Sequence, residues 1–130
     1  MDILYYNIFV KEKNFKKFLS SAFFNSDFVS PEVIRLYLES FKIKNANKAF
    51  LSIIKSNNAY DIEPVLKKID IPVLILWGRN DGWISLESAY RFNSLIKGPE
   101  LAVIDNAGHV SMGEQPEAAN NKILEFLDKF

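Results

Sequence analysis

The sequence has no cysteine, a single histidine and only five glycines among its 130 residues. Without cysteine it can form no disulfide framework and no thiolate metal site, and a cytoplasmic setting is the natural expectation. One histidine without cysteine also excludes a zinc site of the usual kind, so neither a metal nor another cofactor is expected. Charge of one sign is missing as well. Sixteen basic and sixteen acidic residues cancel, so no net field draws the chain to nucleic acid or to an anionic membrane. Long hydrophobic runs are absent. The opening stretch MDILYYNIFV is apolar only briefly before Lys11, Glu12 and Lys13, which fits neither a secretory signal nor a membrane span. No internal repeat or low-complexity tract interrupts the chain.

What is present is a chain long enough for one domain or part of one, 48% hydrophobic, with eleven phenylalanines. Its character changes near residue 60. Before that point the periodicity is helical. Phe15, Phe18, Leu19, Ala22 and Phe23 recur on one helical face. Ser30 as N-cap and Pro31 at the first helical position predict a second helix, with Ile34, Tyr37, Leu38 and Phe41 as its stripe. Ala46, Ala49, Phe50, Ile53 and Ile54 predict a third. We read residues 1–59 as a helical segment and 60–130 as a separate α/β part.

After residue 60, Asp61 and Pro64 open a short helix predicted to end near Ile69. The run IPVLILW (71–77) is apolar throughout, the pattern of a strand covered on both faces in a parallel sheet. Ser85 is placed to cap a helix carrying Leu86, Ala89, Phe92, Leu95 and Ile96, which stops at KGP. LAVID (101–105) reads as a second strand, NAGHVSMGEQ as a loop, and Pro116 as the start of a last helix. Ala119, Ile123, Phe126, Leu127 and Phe130 are expected to face inward there. Strand, crossover helix and parallel strand make a βαβ unit. In such sheets ligands bind beyond the carboxyl ends of the strands, and both polar loops, 78–85 and 106–115, lie at those ends.

The first loop holds Asp81 and the second holds His109, the only histidine. Adjacent parallel strands would bring the two side chains to one rim. A carboxylate accepting the imidazole Nδ1–H fixes the tautomer and steadies the imidazolium. The other ring nitrogen then serves as a general base. Trp83 and Val110, beside the acid and the base, are candidates to line a substrate pocket.

The stretches PVLILWGRND and NAGHVSMGEQPEAANNKILEFL resemble the acid-strand and histidine-loop motifs of the α/β-hydrolase fold family, from about Tyr60 to the C-terminus. The three preceding helices are similar to that family's variable lid. The resemblance implies Asp81 as triad acid and His109 as general base, with Glu114 and Pro116 shaping the start of the last helix. It departs from the family pattern at Ser85 and Ser111, where proline is frequent. It also implies a nucleophile earlier in the chain, in a G-x-S-x-G elbow. No elbow is found: the glycines are Gly78, Gly82, Gly98, Gly108 and Gly113. Ser20, Ser21, Ser30 and Ser40 belong to helices or caps, and Ser111 lies in a loop without strand–turn–helix geometry.

The expectation is therefore an α/β chain corresponding to the C-terminal part of an α/β-hydrolase. It comprises a helical cap segment, a two-stranded parallel βαβ unit and a C-terminal helix. It would supply acid and base for a small apolar ester or acyl substrate, with the nucleophile in an N-terminal half, and be inactive alone. The same acid and base also serve relatives with an aspartate nucleophile, including haloalkane and epoxide hydrolases. The alternative is a non-catalytic, truncated or split chain that binds a partner, or itself, through the open edge of strand 71–77. Phe23, Phe24, Phe41 and Phe50 suit either an apolar substrate or packing.

Overall fold

The computed structural model describes residues 5, 9, 11–56 and 61–130, apart from the side chains of Ile54 and Ser56. Residues 1–21 and 26–61 form one compact unit, and residues 22–25 and 62–130 form the other. The expected change of character at residue 60 falls within 57–60, outside the described residues, as does the Ile54 side chain of the third apolar stripe.

The first unit contains helices α1 (Glu12–Ser20), α2 (Pro31–Lys42) and α3 (Ala46–Ser56), with a 3-10 turn at Ser26–Phe28. α2 starts as its sequence predicts. The Ser30 hydroxyl accepts the Val33 N–H at 3.3 Å and Pro31 opens the first turn, where a missing N–H costs nothing. Asn45, at φ 66°, turns the chain from α2 into α3, a left-handed conformation that asparagine tolerates better than most residues. The core is a ring cluster. Phe9 stacks on Phe41 with centroids 5.6 Å apart, Phe15 meets Phe41 edge-on at 5.2 Å, and Phe50 reaches Phe9 at 4.3 Å. Tyr5 joins them and donates its hydroxyl to the Phe41 carbonyl at 3.0 Å. Phe41 and Phe50 are thus spent on packing. Three readings need correction. α1 stops at Ser20, so Ala22 and Phe23 are outside it, and Tyr37 and Ile53 are exposed. Periodicity marks an apolar face but not how much of it finds cover.

The second unit runs α4 (Glu63–Leu66), β1 (Leu74–Gly78), α5 (Leu86–Leu95), β2 (Glu100–Ile104), α6 (Ser111–Glu114) and α7 (Pro116–Leu127). β1 and β2 pair in parallel, with Leu74 opposite Glu100 and Gly78 opposite Ile104. Leu66, Ile75, Ala89 and Ile96 form the core between α4, α5 and the sheet, and Trp77, Phe92 and Leu101 pack against it. Strand alternation sends Leu76, Ala102 and Ile104 to the other face. α7 contacts both strands.

Several boundaries differ from the sequence reading. The strand expected at 71–77 begins at Leu74, because the ladder starts where the Glu100 N–H meets the Val73 carbonyl at 2.9 Å; Ile71 stays 70% exposed. β1 is accordingly not covered on both faces along the whole apolar run. The helix expected to reach Ile69 ends at Leu66. Residues 106–115 are not all loop, since α6 lies inside them. Ser85 occupies the N-cap of α5 but makes no side-chain capping bond. On α7 only Ala119 is buried: Ile123, Leu127 and Phe130, expected to face inward, are exposed. No helix among the described residues is long and apolar enough to cross a membrane.

Candidate active site

Both loops leave the sheet at the same end, where β1 ends at Gly78 and β2 at Ile104. The main chain then ties them together. The Arg79 N–H donates to the Ile104 carbonyl and the Asn80 N–H to the Ala107 carbonyl, each at 2.9 Å. Arg79 also pairs with Asp105 through its side chain. At the closest point glycine is obligatory on both sides. A Cβ on Gly78 would stand 2.0 Å from the Gly108 carbonyl oxygen. One on Gly108 would stand 2.5 Å from the Ala22 carbonyl oxygen and 2.8 Å from the Phe24 nitrogen.

Asp81 follows this junction. Its Oδ1 accepts the main-chain N–H groups of Trp83 at 2.8 Å and Ile84 at 2.9 Å, so the side chain shapes its own turn. Its Oδ2 faces His109 Nδ1 at 2.9 Å. The Asp81 side chain is only 4% exposed, whereas the His109 side chain is 34% exposed. Burial alone would raise the Asp81 pKa. The hydrogen bonds from Ile84, His109 and Trp83 outweigh that, and together with the attraction of the imidazole hold the carboxyl below its ordinary range. An ionised carboxylate only accepts, so Nδ1 carries the proton and the lone pair falls on Nε2.

The residues around the pair are set by the two loops. Leu76, Trp77, Gly78, Ser111 and Met112 line a cavity of about 170 Å³ together with Asp81 and His109. Trp83 lies against the imidazole, ring centroids 4.9 Å apart, and is partly open to solvent. Val110 is half-buried at the start of α6, and its carbonyl accepts the N–H groups of Gly113 and Glu114. The Trp77 indole N–H donates to the Ile84 carbonyl at 3.2 Å, closing the Asp81 loop back on its strand. A larger cavity, about 630 Å³, lies in the first unit between α1 and α2, where Glu12, Glu32, Arg35 and Lys42 give it ordinary surface character. Among the described residues, no group of three His, Asp or Glu side chains converges as a metal ion would require.

Sequence reasoning missed the segment Ala22–Asn25. Periodicity assigns Ala22 and Phe23 to the first helix, yet the segment belongs to the second unit, where the Ala22 carbonyl accepts the His109 N–H at 2.7 Å. No local signal marks it, because its partner is more than eighty residues away. Glu114, expected to be structural at the entry to the last helix, accepts the main-chain N–H groups of Gly108 and Asn25.

No family model matches the chain. A 2-hydroxy-6-oxononadienedioate/2-hydroxy-6-oxononatrienedioate hydrolase of Pseudomonas putida is 26% identical over 117 residues, which are 88% of this chain and 41% of that protein. Among solved structures, a meta-cleavage product hydrolase of Pseudomonas fluorescens IP01 superposes with a TM-score of 0.79 at 24% identity, over 92% of this chain and 46% of that one. The 2-hydroxy-6-oxo-6-phenylhexa-2,4-dienoate hydrolase of Rhodococcus sp. strain RHA1 superposes with a TM-score of 0.78 at 18% identity, over 97% of this chain and 47% of that one. Parallel β1–α5–β2, the loops at its carboxyl edge and these similarities agree: the chain has the fold of about half of an α/β-hydrolase structure and spans less than half the length of the relatives it matches.

Proposed function

We propose that this chain contributes the acid and the general base of a serine-type hydrolase, with Asp81 as the acid and His109 as the base. The single observation that carries this reading is the 2.9 Å contact between His109 Nδ1 and an Asp81 carboxylate already held by two main-chain N–H groups. With Nδ1 donating to Asp81, Nε2 is the atom that takes a proton from a nucleophile and returns it to the leaving group. The depressed Asp81 pKa keeps its negative charge in place as the imidazolium forms. A general base of this kind contributes on the order of 10²–10⁴ in rate. Trp83 and Val110 would border the substrate. The relatives' names point to hydrolysis of hydroxy-oxo-dienoates, so the substrate class we propose is a small ester or acyl compound with an attackable carbonyl.

The same reading makes the isolated chain inactive. Every glycine lies at or after the acid loop, which leaves no G-x-S-x-G elbow before Asp81. The test uses p-nitrophenyl acetate. Residues 1–130 alone should give no turnover above a His109→Ala control. Adding a separately expressed, elbow-bearing half of a meta-cleavage product hydrolase should give turnover that His109→Ala and Asp81→Ala abolish. His109-dependent turnover by the chain alone would overturn the missing-nucleophile reading. Complemented activity indifferent to His109 would overturn the base assignment.

A second, non-catalytic reading rests on a different observation. Among the described residues β1 pairs only with β2, while Ile71 beside it and Ile123, Leu124 and Leu127 on α7 are exposed. An open strand with apolar surface nearby favours strand addition by a partner or a second copy. Sedimentation should then show concentration-dependent association, and a monomer at all concentrations would count against the exposed-edge argument and remove its second-copy form.

A further inference from the structure

The acid side of the pair is held by its own turn, but something must also hold the main chain that carries the imidazole. Glu114 is 4% exposed, deep burial for a carboxylate, and ends α6. Burying such a group is costly unless its oxygens are satisfied. Here each oxygen has its own donor. Oε2 accepts the Gly108 N–H at 2.6 Å and Oε1 accepts the Asn25 N–H at 2.9 Å. Between these two bonds the His109 N–H donates to the Ala22 carbonyl at 2.7 Å. Glu114 thus closes a frame in which Gly108–His109 lies main chain to main chain against Ala22–Asn25. Neither donor belongs to α6 or α7, so a part in starting the last helix does not account for them.

Resting on the reading of Asp81 and His109 as the catalytic pair, we propose that Glu114 is a positioning residue for His109. By tying Gly108 to Asn25 it sets the backbone direction from which the imidazole reaches Asp81. The chemistry of the group fits this task. Two opposed N–H donors need two acceptors, and a carboxylate supplies both. Glutamine, of the same shape, supplies one acceptor and turns an NH₂ toward the remaining donor. Aspartate is one methylene too short to span both.

The test uses the full chain uniformly labelled with ¹⁵N and ¹³C, in which the one histidine gives an unambiguous imidazole signal. The hydrogen-bonded Nδ1–H should be visible in the wild type and lost in Asp81→Asn. Glu114→Gln should lose or broaden the same signal and speed amide exchange at His109 and Asn25 by about tenfold or more, as expected for losing hydrogen bonds to a charged group. Leu66→Ala, a core truncation in the same unit, should lower stability yet leave the Nδ1–H signal in place. A Glu114→Gln protein with a wild-type imidazole spectrum would overturn the proposal. So would equal loss of the signal in Leu66→Ala, which would make the effect one of general stability. Should Glu114→Gln not fold, exchange in the wild type decides: Gly108, His109 and Asn25 amides must be protected and open together, and free-peptide exchange at Gly108 and Asn25 would sink it. A wild type with no Nδ1–H signal, unchanged by Asp81→Asn, would instead count against the underlying pair.

Discussion

The two units of this chain bury different things. In the first, the buried residues among those described are apolar or aromatic: Phe9, Phe15, Leu19, Val29, Ile34 and Leu38, with Tyr5. Tyr5 has its hydroxyl bonded to a carbonyl, and burial raises its pKa. In the second, Glu114 and Ser111 are buried beside the apolar core, and the Asp81 side chain is nearly so. Apolar burial is non-directional and rewards any arrangement that fills space. Buried carboxylates are stable only with donors at defined places, and so impose geometry. One unit is organised by packing and the other by packing plus direction.

The largest effect that would sharpen this contrast comes from Phe15, which is fully buried among the rings. Phe15→Ala should cost about 3–5 kcal/mol by lost burial and an unfilled cavity. Hydrogen exchange at α1–α3 amides would show it, and a change below ~1 kcal/mol would mean that the ring cluster does not organise its unit. Next comes acid. Because the folded-state pKa of Asp81 is depressed, its contribution is complete above the unfolded aspartate value, about 3.9, and is lost as pH falls through the lower folded value. The wild type should therefore lose stability toward acid more steeply than Asp81→Asn, as followed by urea denaturation across that range. Equal slopes would show that the hydrogen bonds from Trp83, Ile84 and His109 do not favour the ionised form. The smallest effect compares two serines at helix starts. Ser30→Ala removes a capping bond and should cost about 1 kcal/mol. Ser85→Ala removes no capping bond, only a hydrogen bond to the solvent-exposed Glu87 carboxylate, and should shift the melting temperature less. Matching thermal shifts for the two would break the distinction.

The part of this molecule that the sequence made readable is the part governed by local rules. The apolar run ending in Gly78, the second strand and the two polar loops could be placed because strand patterning and the carboxyl-edge rule need no distant information. The meeting of Asp81 and His109 followed from that placement. What escaped depends on contacts between remote residues. The register with Glu100, not hydrophobicity, decides that β1 starts at Leu74 rather than Ile71. α1 stops at Ser20, and Ala22 just beyond it is engaged by His109. The partner of Glu114 at Asn25 lies 89 residues away. On α7, Ile123 and Leu127 carry the right period for a buried face, but period says nothing about what lies opposite.

The contact between Gly78 and Gly108 has a consequence for variation. Because the two loops meet through main-chain atoms, the separation of Asp81 and His109 is fixed below the level of side chains. Side chains nearby, such as those of Trp83, Val110 and Met112, can then change in size or polarity without moving Asp81 or His109. Under the proposed function, proton handling and substrate preference would be separately adjustable: the one would rest on main-chain contacts at Gly78 and Gly108, the other on side chains around the pair.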